Sequence, residues 1–194
     1  IAKKVPALWI RKEDWQLTRK ELLKHLRMGI PMGFQASVIA LGAIILQVAL
    51  NGLGPLAVAA YAAAQKIDMV AVMPMMSFGM AMAAYTAQNY GAQKFDRIKV
   101  GVKKCVLMSG TFSIAVGVFN IFCGPFLMEL FVGEGQQQVV DYGQMYLVVN
   151  GVCYFILSLL FIFRYTLQGL GQTVVPTIAG GMELFMRALA ALVL

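Results

Sequence analysis

Long uncharged stretches dominate the chain, broken at intervals by short polar or glycine-rich segments. No charged residue falls between Arg27 and Lys66, and none falls between Asp68 and Lys94. Crossing a hydrocarbon core of about 30 Å takes roughly 20 helical residues, so stretches of this length predict membrane spans. Five are found, at residues 29–50, 56–88, 101–128, 139–168 and 173–194. The first opens with Pro31 near a helical start, where a missing N–H costs nothing, and closes at "NGLGP". The second has 33 residues, or roughly 50 Å at about 1.5 Å per residue. It is too long to cross perpendicular to the membrane, and Pro74 near its middle removes an internal hydrogen bond and predicts a kink. The expected fold is therefore all-α: a polytopic membrane bundle over 29–194. Residues 1–28 precede it as an amphipathic cytoplasmic linker, with Trp15, Leu22, Leu23 and Leu26 set among charges.

Composition agrees with a lipid solvent. The chain is 60% hydrophobic and 13% charged, with a mean hydropathy of +0.74, whereas soluble domains run near 45–50% apolar and about 25% charged. The net charge of +7 raises the question of nucleic acid, and its placement argues against it. Eight of the 16 Lys and Arg lie in residues 1–28 and five in 94–104, two loops on one side of a five-span topology. The opposite loop between spans three and four carries only Glu129, Glu134 and Asp141. The positive-inside rule then predicts a cytoplasmic N-terminus and residence in the cytoplasmic membrane, with lipid as a partner and no nucleic acid. The opening "IAKKVPALWIRKEDW" has no initiator Met and no cleavable apolar region, so the sequence reads as beginning within a longer protein. Cys105, Cys123 and Cys153 are too scattered for a disulfide framework or a metal site. HExxH, GxSxG and P-loop patterns are lacking, so no enzyme, cofactor or metal is expected.

Charged groups inside a span cost about 2.5 to 3.5 kcal/mol each at its centre, so they face a partner or an aqueous cavity. Lys66 and Asp68 are two positions apart and do not form an intrahelical pair. Lys66 can snorkel outward on its long stem or line a cavity; the short Asp68 is the better cavity group. Met69, Met73, Met76 and Met80 follow at helical spacing and form one stripe, with Met75 and Met82 off it. Such a stripe is either packing or an adaptable wall for apolar ligands. Glu183 and Arg187 are spaced for a same-face pair, structural or relay-forming. Arg164 lies near the inner end of the fourth span and can reach the interface. Gln35, Ser37 and Gln47 on the first span, and Asn150 and Tyr154 on the fourth, either bond between helices or face a cavity.

Two stretches also carry a family resemblance. "FGMAMAAYTAQNYGAQKF", with Gly79, Ala83, Gln88, Asn89, Gly91 and Ala92, and "RYTLQGLGQTVVP", with Arg164, Gln168, Gly169, Gly171, Thr173 and Pro176, resemble the multidrug and toxic compound extrusion (MATE) family. "LRMGIPMGFQAS" is similar to the start of that family's seventh helix. The resemblance implies that the five spans are helices seven to eleven of a twelve-helix, two-lobe antiporter, so that the N-terminal lobe of the same protein is a partner. It implies Na⁺ or H⁺ as coupling ion and cationic, amphipathic small molecules as exported substrates. Many relatives carry an acid in helix seven near the position of Ile39, which this chain lacks, so coupling can rest on acids in the other lobe. Two other readings stay open: a lipid-linked sugar flippase of related architecture, which calls for a more cationic cavity, and a membrane scaffold that transports nothing.

Overall fold

A computed structural model describes residues 18–133 and 135–193 of the chain. Most of the linker assigned to residues 1–28, Trp15 included, and the outer-loop acid Glu134 lie outside the described residues. Five helices follow one another: α1 (Arg19–Gly52), α2 (Pro55–Gly91), α3 (Phe95–Val132), α4 (Gln137–Gly169) and α5 (Val174–Val193). All five are long and apolar enough to cross a membrane. α1 to α4, with 34, 37, 38 and 33 residues, are longer than lipid thickness requires, whereas α5, with 20, matches it; each connection is short enough to reverse the chain at once.

The helix ends follow from local chemistry. α1 begins with a capping box, the Glu21 backbone N–H donating to Thr18 Oγ1 at 3.4 Å and the Thr18 N–H donating back to Glu21 Oε2 at 3.3 Å. Hydrogen bonds from Thr18 hold the Glu21 carboxyl below the usual carboxylate range. From this cap the helix runs unbroken through Met28 into the first span. Its exposed Leu22, Leu23 and Leu26 therefore lie on the same continuous helix as the first span. Pro55 starts α2 at a position where proline is favoured. At the α4–α5 turn Gly171 has φ 78°, a conformation in which a Cβ is disfavoured. Pro176 falls in the first turn of α5, where an N–H would have no helical acceptor.

Packing does not simply follow chain order. α2 with α4 and α3 with α4 make the most extensive contacts, followed by α1 with α5 and α2 with α3. α1 touches α2, and α4 touches α5, only narrowly. The bundle is thus a three-helix body, α2–α3–α4, beside a two-helix pair, α1–α5. Between α3 and α4 the backbones meet at Gly117 and Gly151, where a Cβ added to Gly151 would lie 3.1 Å from the Gly117 carbonyl oxygen. Small residues permit this approach, the usual source of helix association in lipid, where burial of apolar area gives no drive. Gly169 does the same for α4 against the Ala83 backbone of α2, and Gly79 receives the Tyr165 ring.

Proline in α3 shows how the three-helix body satisfies its backbone. Pro125 has no N–H to give to the carbonyl four residues earlier, that of Ile121. Gln144 of α4 supplies the missing donor, its Nε2 lying 2.8 Å from the Ile121 oxygen. In hydrocarbon an unpartnered carbonyl has no water to fall back on, so the side chain replaces a helix bond. Gln144→Leu is expected to lower stability by about 1–3 kcal/mol through the orphaned carbonyl. Adding Pro125→Ala should recover part of that loss by restoring the N–H. Denaturant or thermal unfolding of the complete protein in detergent measures both, and an equal loss in single and double variants would show that Gln144 matters only for shape.

Candidate functional site

The residues of α2 divide between two faces. Ala60, Ala64, Ile67, Ala71, Met75, Met82 and Thr86 are buried, and at about 100° per residue Asp68 falls at one edge of that face, in line with Thr86. Met69, Met73 and Met80 are more than half exposed and Met76 is 39% exposed. The stripe predicted from spacing exists, but it points away from Asp68, while Met75 and Met82, which lie off it, are the α2 methionines in the core. Lys66 is exposed beside the stripe and has no ion pair among the described residues. Met73 and Pro74 border a shallow depression with Ser77, Phe78 and Ala81. α2 is continuously helical across Pro74.

Asp68 is held from α4. Tyr154 Oη donates to Asp68 Oδ1 at 2.6 Å, and Asn120 Nδ2 of α3 donates to the same Tyr154 oxygen at 3.0 Å. Tyr154 is 1% exposed and Asn120 3%. Three helices therefore meet at one hydroxyl, which is saturated: its proton goes to the carboxylate and its oxygen takes the amide N–H. Asp68 Oδ2 has no hydrogen-bond partner and the carboxylate no cation among the described residues. Asn150, one turn before Tyr154 on α4, is half-buried, as is Tyr146. Tyr146 in turn meets Tyr61 edge-on at 5.4 Å between centroids.

The second polar constellation joins the two bodies. Glu183 Oε1 accepts from Arg187 Nη2 at 2.8 Å, the same-face pair expected from spacing, and its Oε2 accepts from Arg164 Nη2 at 3.2 Å. Arg164 does not reach for the cytoplasmic interface. Its side chain is only 11% exposed, because a carboxylate on the next helix lies within reach and offers a charged partner. The Arg187 stem lies on Gly42 of α1, where an added Cβ would come within 2.9 Å of its Cδ. Nearby, Gln168 Nε2 donates to Gln35 Oε1 at 3.3 Å and ties α4 to α1. Gln47, by contrast, is exposed and bonds only to Asn51 on its own helix. The remaining motif residues have structural positions at helix ends. Gln88 is exposed, Asn89 donates to the Tyr85 carbonyl at 2.8 Å, and Gly91 and Ala92 close α2.

Asn120, Tyr146 and Tyr61 were not selected by sequence reasoning. Asn120 carried one available signal, an amide in a charge-free run four residues from Gly124 and three from Gly117. The tyrosines carried none, since an aromatic on an apolar helix is indistinguishable from lipid-facing or core residues.

Helices of this length and composition, closing polar groups on one another across a glycine-lined interior, define a multi-pass membrane protein. A family model described as MatE matches residues 31–192, and the chain belongs to that family. It is 26% identical over 167 residues to the probable multidrug resistance protein YoeA of Bacillus subtilis (strain 168), a match covering 84% of this chain and 35% of that protein. It is 27% identical over 122 residues to the probable multidrug resistance protein YpnP of the same organism, covering 63% of this chain and 27% of the relative. The chain thus spans about a third of the length of the curated relatives it matches.

Loss of the Glu183 carboxylate leaves Arg164 in a low-dielectric site with no counter-charge. Glu183→Leu is expected to destabilise the complete protein by about 1–3 kcal/mol, the usual range for removing hydrogen bonds to charged groups. Arg164→Leu in the same background should cost less than in the wild type, because the uncompensated charge disappears with it. A thermodynamic cycle over the four proteins measures this coupling, and strict additivity would show that the pair does not interact.

Proposed function

We propose that the complete protein is a cation-coupled antiporter, driven by Na⁺ or H⁺, that exports cationic amphipathic compounds across the cytoplasmic membrane by alternating access. The five helices form most of one of its two lobes, with the cation-rich loops and the N-terminal end of this segment on the cytoplasmic side. Family membership and the multidrug resistance names of the relatives support transport of this class. The single observation that carries the reading is the state of Asp68: an acid at membrane depth, fixed by a neutral donor, with one oxygen unpartnered and no cation against it among the described residues. Intramembrane carboxylates in that condition are sites for a proton, a metal cation or an organic cation. Glu183 differs in kind, since two guanidinium groups already bind it, and its role is to hold the helices.

The exposed methionine stripe on α2 supplies an adaptable apolar surface, suited to the face that meets the other lobe and the substrates between them. A lipid-linked sugar flippase would need a concentration of positive charge for a pyrophosphate. Here Arg164 and Arg187 share Glu183 and Lys66 stands apart from both, which favours the drug exporter.

Asp68→Asn retains an oxygen for the Tyr154 hydroxyl while removing the charge. In the complete protein it is expected to lower efflux of a cationic dye from loaded cells or proteoliposomes by at least about tenfold, equivalent to about 1.4 kcal/mol. Its residual flux should also lose its dependence on the imposed Na⁺ or H⁺ gradient. Efflux and gradient dependence equal to wild type would assign Asp68 a structural role alone.

A further inference from the structure

Behind the Asp68 tie lies a groove between α2 and α3 of about 380 Å³, at the small end of the roughly 300–1,000 Å³ typical of small-molecule sites. Val70 and Pro74 of α2 and Phe112, Val116 and Phe119 of α3 form apolar walls, and Asn120 is the polar side chain among the lining residues. The hydrogen-bond chain fixes which end of that amide is left free. Asp68 takes the Tyr154 proton, so the Tyr154 oxygen can only accept, and Asn120 must turn its N–H₂ to it. The Asn120 carbonyl oxygen is left without a hydrogen-bond partner among the described residues, on a residue that lines the groove. A second acceptor sits in the same wall. Pro74 has no N–H for the Val70 carbonyl one turn earlier, so that oxygen lacks its usual helical donor. Unlike the Ile121 carbonyl beside Pro125, it receives no side-chain donor among the described residues.

An apolar slot offering oxygen acceptors and no donor selects one kind of occupant. We propose that the α2–α3 groove is a binding subsite for protonated alkyl- or arylamines, taking the apolar body between Phe112, Val116 and Phe119 and the ammonium N–H at the Asn120 carbonyl. Asp68 acts there as a positioning residue: through Tyr154 it sets the polarity of the amide, and its negative charge favours a cation in the slot. A lipid acyl chain fits the walls but leaves both acceptors bare, which in hydrocarbon is costly. This assignment rests on the exporter reading, whose substrate class it narrows from cationic amphipaths to those bearing an N–H.

A matched pair of ligands separates the two features. Dodecyldimethylammonium carries one N–H and dodecyltrimethylammonium none, with the same chain and charge. Binding of each to the complete protein in nanodiscs is measured by titration and corrected for partition into empty discs. The expected result is about tenfold tighter binding of the N–H ligand, as one charge-assisted hydrogen bond allows. That ratio should fall to about one in Asn120→Leu, and Val116→Trp should weaken both ligands by filling the slot. Should Asn120→Leu not fold, Tyr154→Phe keeps the amide but frees its orientation, and the ratio should shrink there also. A wild-type ratio near one, a ratio unchanged in the Asn120 or Tyr154 variant, or indifference to Val116→Trp overturns the subsite; the first two with Val116→Trp still effective indicate an acyl-chain groove. Gradient-driven drug flux without the N–H preference would remove the groove and leave the exporter, whereas the preference without any drug flux would do the reverse.

Discussion

The hydroxyl of Tyr154 is where the three-helix body is fixed. It comes from α4, gives its proton to Asp68 on α2 and accepts from Asn120 on α3. Tyr154 and Asn120 are almost wholly buried, so each is confined to arrangements that keep its partners satisfied. The packing around it is consistent with that demand. Gly117 and Gly151 bring α3 and α4 close, and Gln144 crosses the same interface to the carbonyl freed by Pro125. Close backbones shorten the reach between helices, and the short reach lets side chains as small as asparagine and aspartate meet a tyrosine between them.

The contact between this body and the α1–α5 pair has a different character. It is narrow, and much of what crosses it is polar: Arg164 to Glu183 and Gln168 to Gln35. Glycine-to-backbone packing has one good geometry, because a shift of an ångström either opens a gap or brings atoms into overlap. Long side chains bearing charges or amides can instead follow one another through a displacement while remaining paired. A transporter that rocks one group of helices against another needs one rigid contact and one tolerant contact. On the proposed function, the α1–α5 seam is the tolerant one.

Much of this architecture was legible in the sequence. Five apolar runs of membrane length and the polar breaks between them correspond to the five helices, because hydrocarbon thickness imposes a length that composition reveals directly. Glu183 and Arg187 were legible as a pair because helical spacing is a local property. Their third member was not: Arg164 meets Glu183 across 19 positions, and its distance from the end of the fourth span gave a sound reason to send it to the interface instead. The same limit hid Asn120, 34 positions from Tyr154, and the Asp68 contact, 86 positions away. Periodicity found the methionine stripe but assigned it no neighbours, since a regular stripe is compatible with core, lipid or cavity. The structure puts that stripe and Asp68 on separate faces of α2, so they serve different surfaces.

The two acids at membrane depth then divide the work by the company they keep. Glu183 is a carboxylate between two guanidiniums, so taking up a further cation would mean displacing an existing partner. Asp68 has given one oxygen to a neutral hydroxyl and kept the other. A neutral donor steadies the ionised form without cancelling its charge, and that leaves a field able to attract a cation from outside the protein. Position in the membrane does not distinguish the residues, and neither does acidity. What separates them is that the helix packing brings cations to one and a tyrosine to the other, so the choice of neighbour makes Glu183 a fastening and leaves Asp68 available.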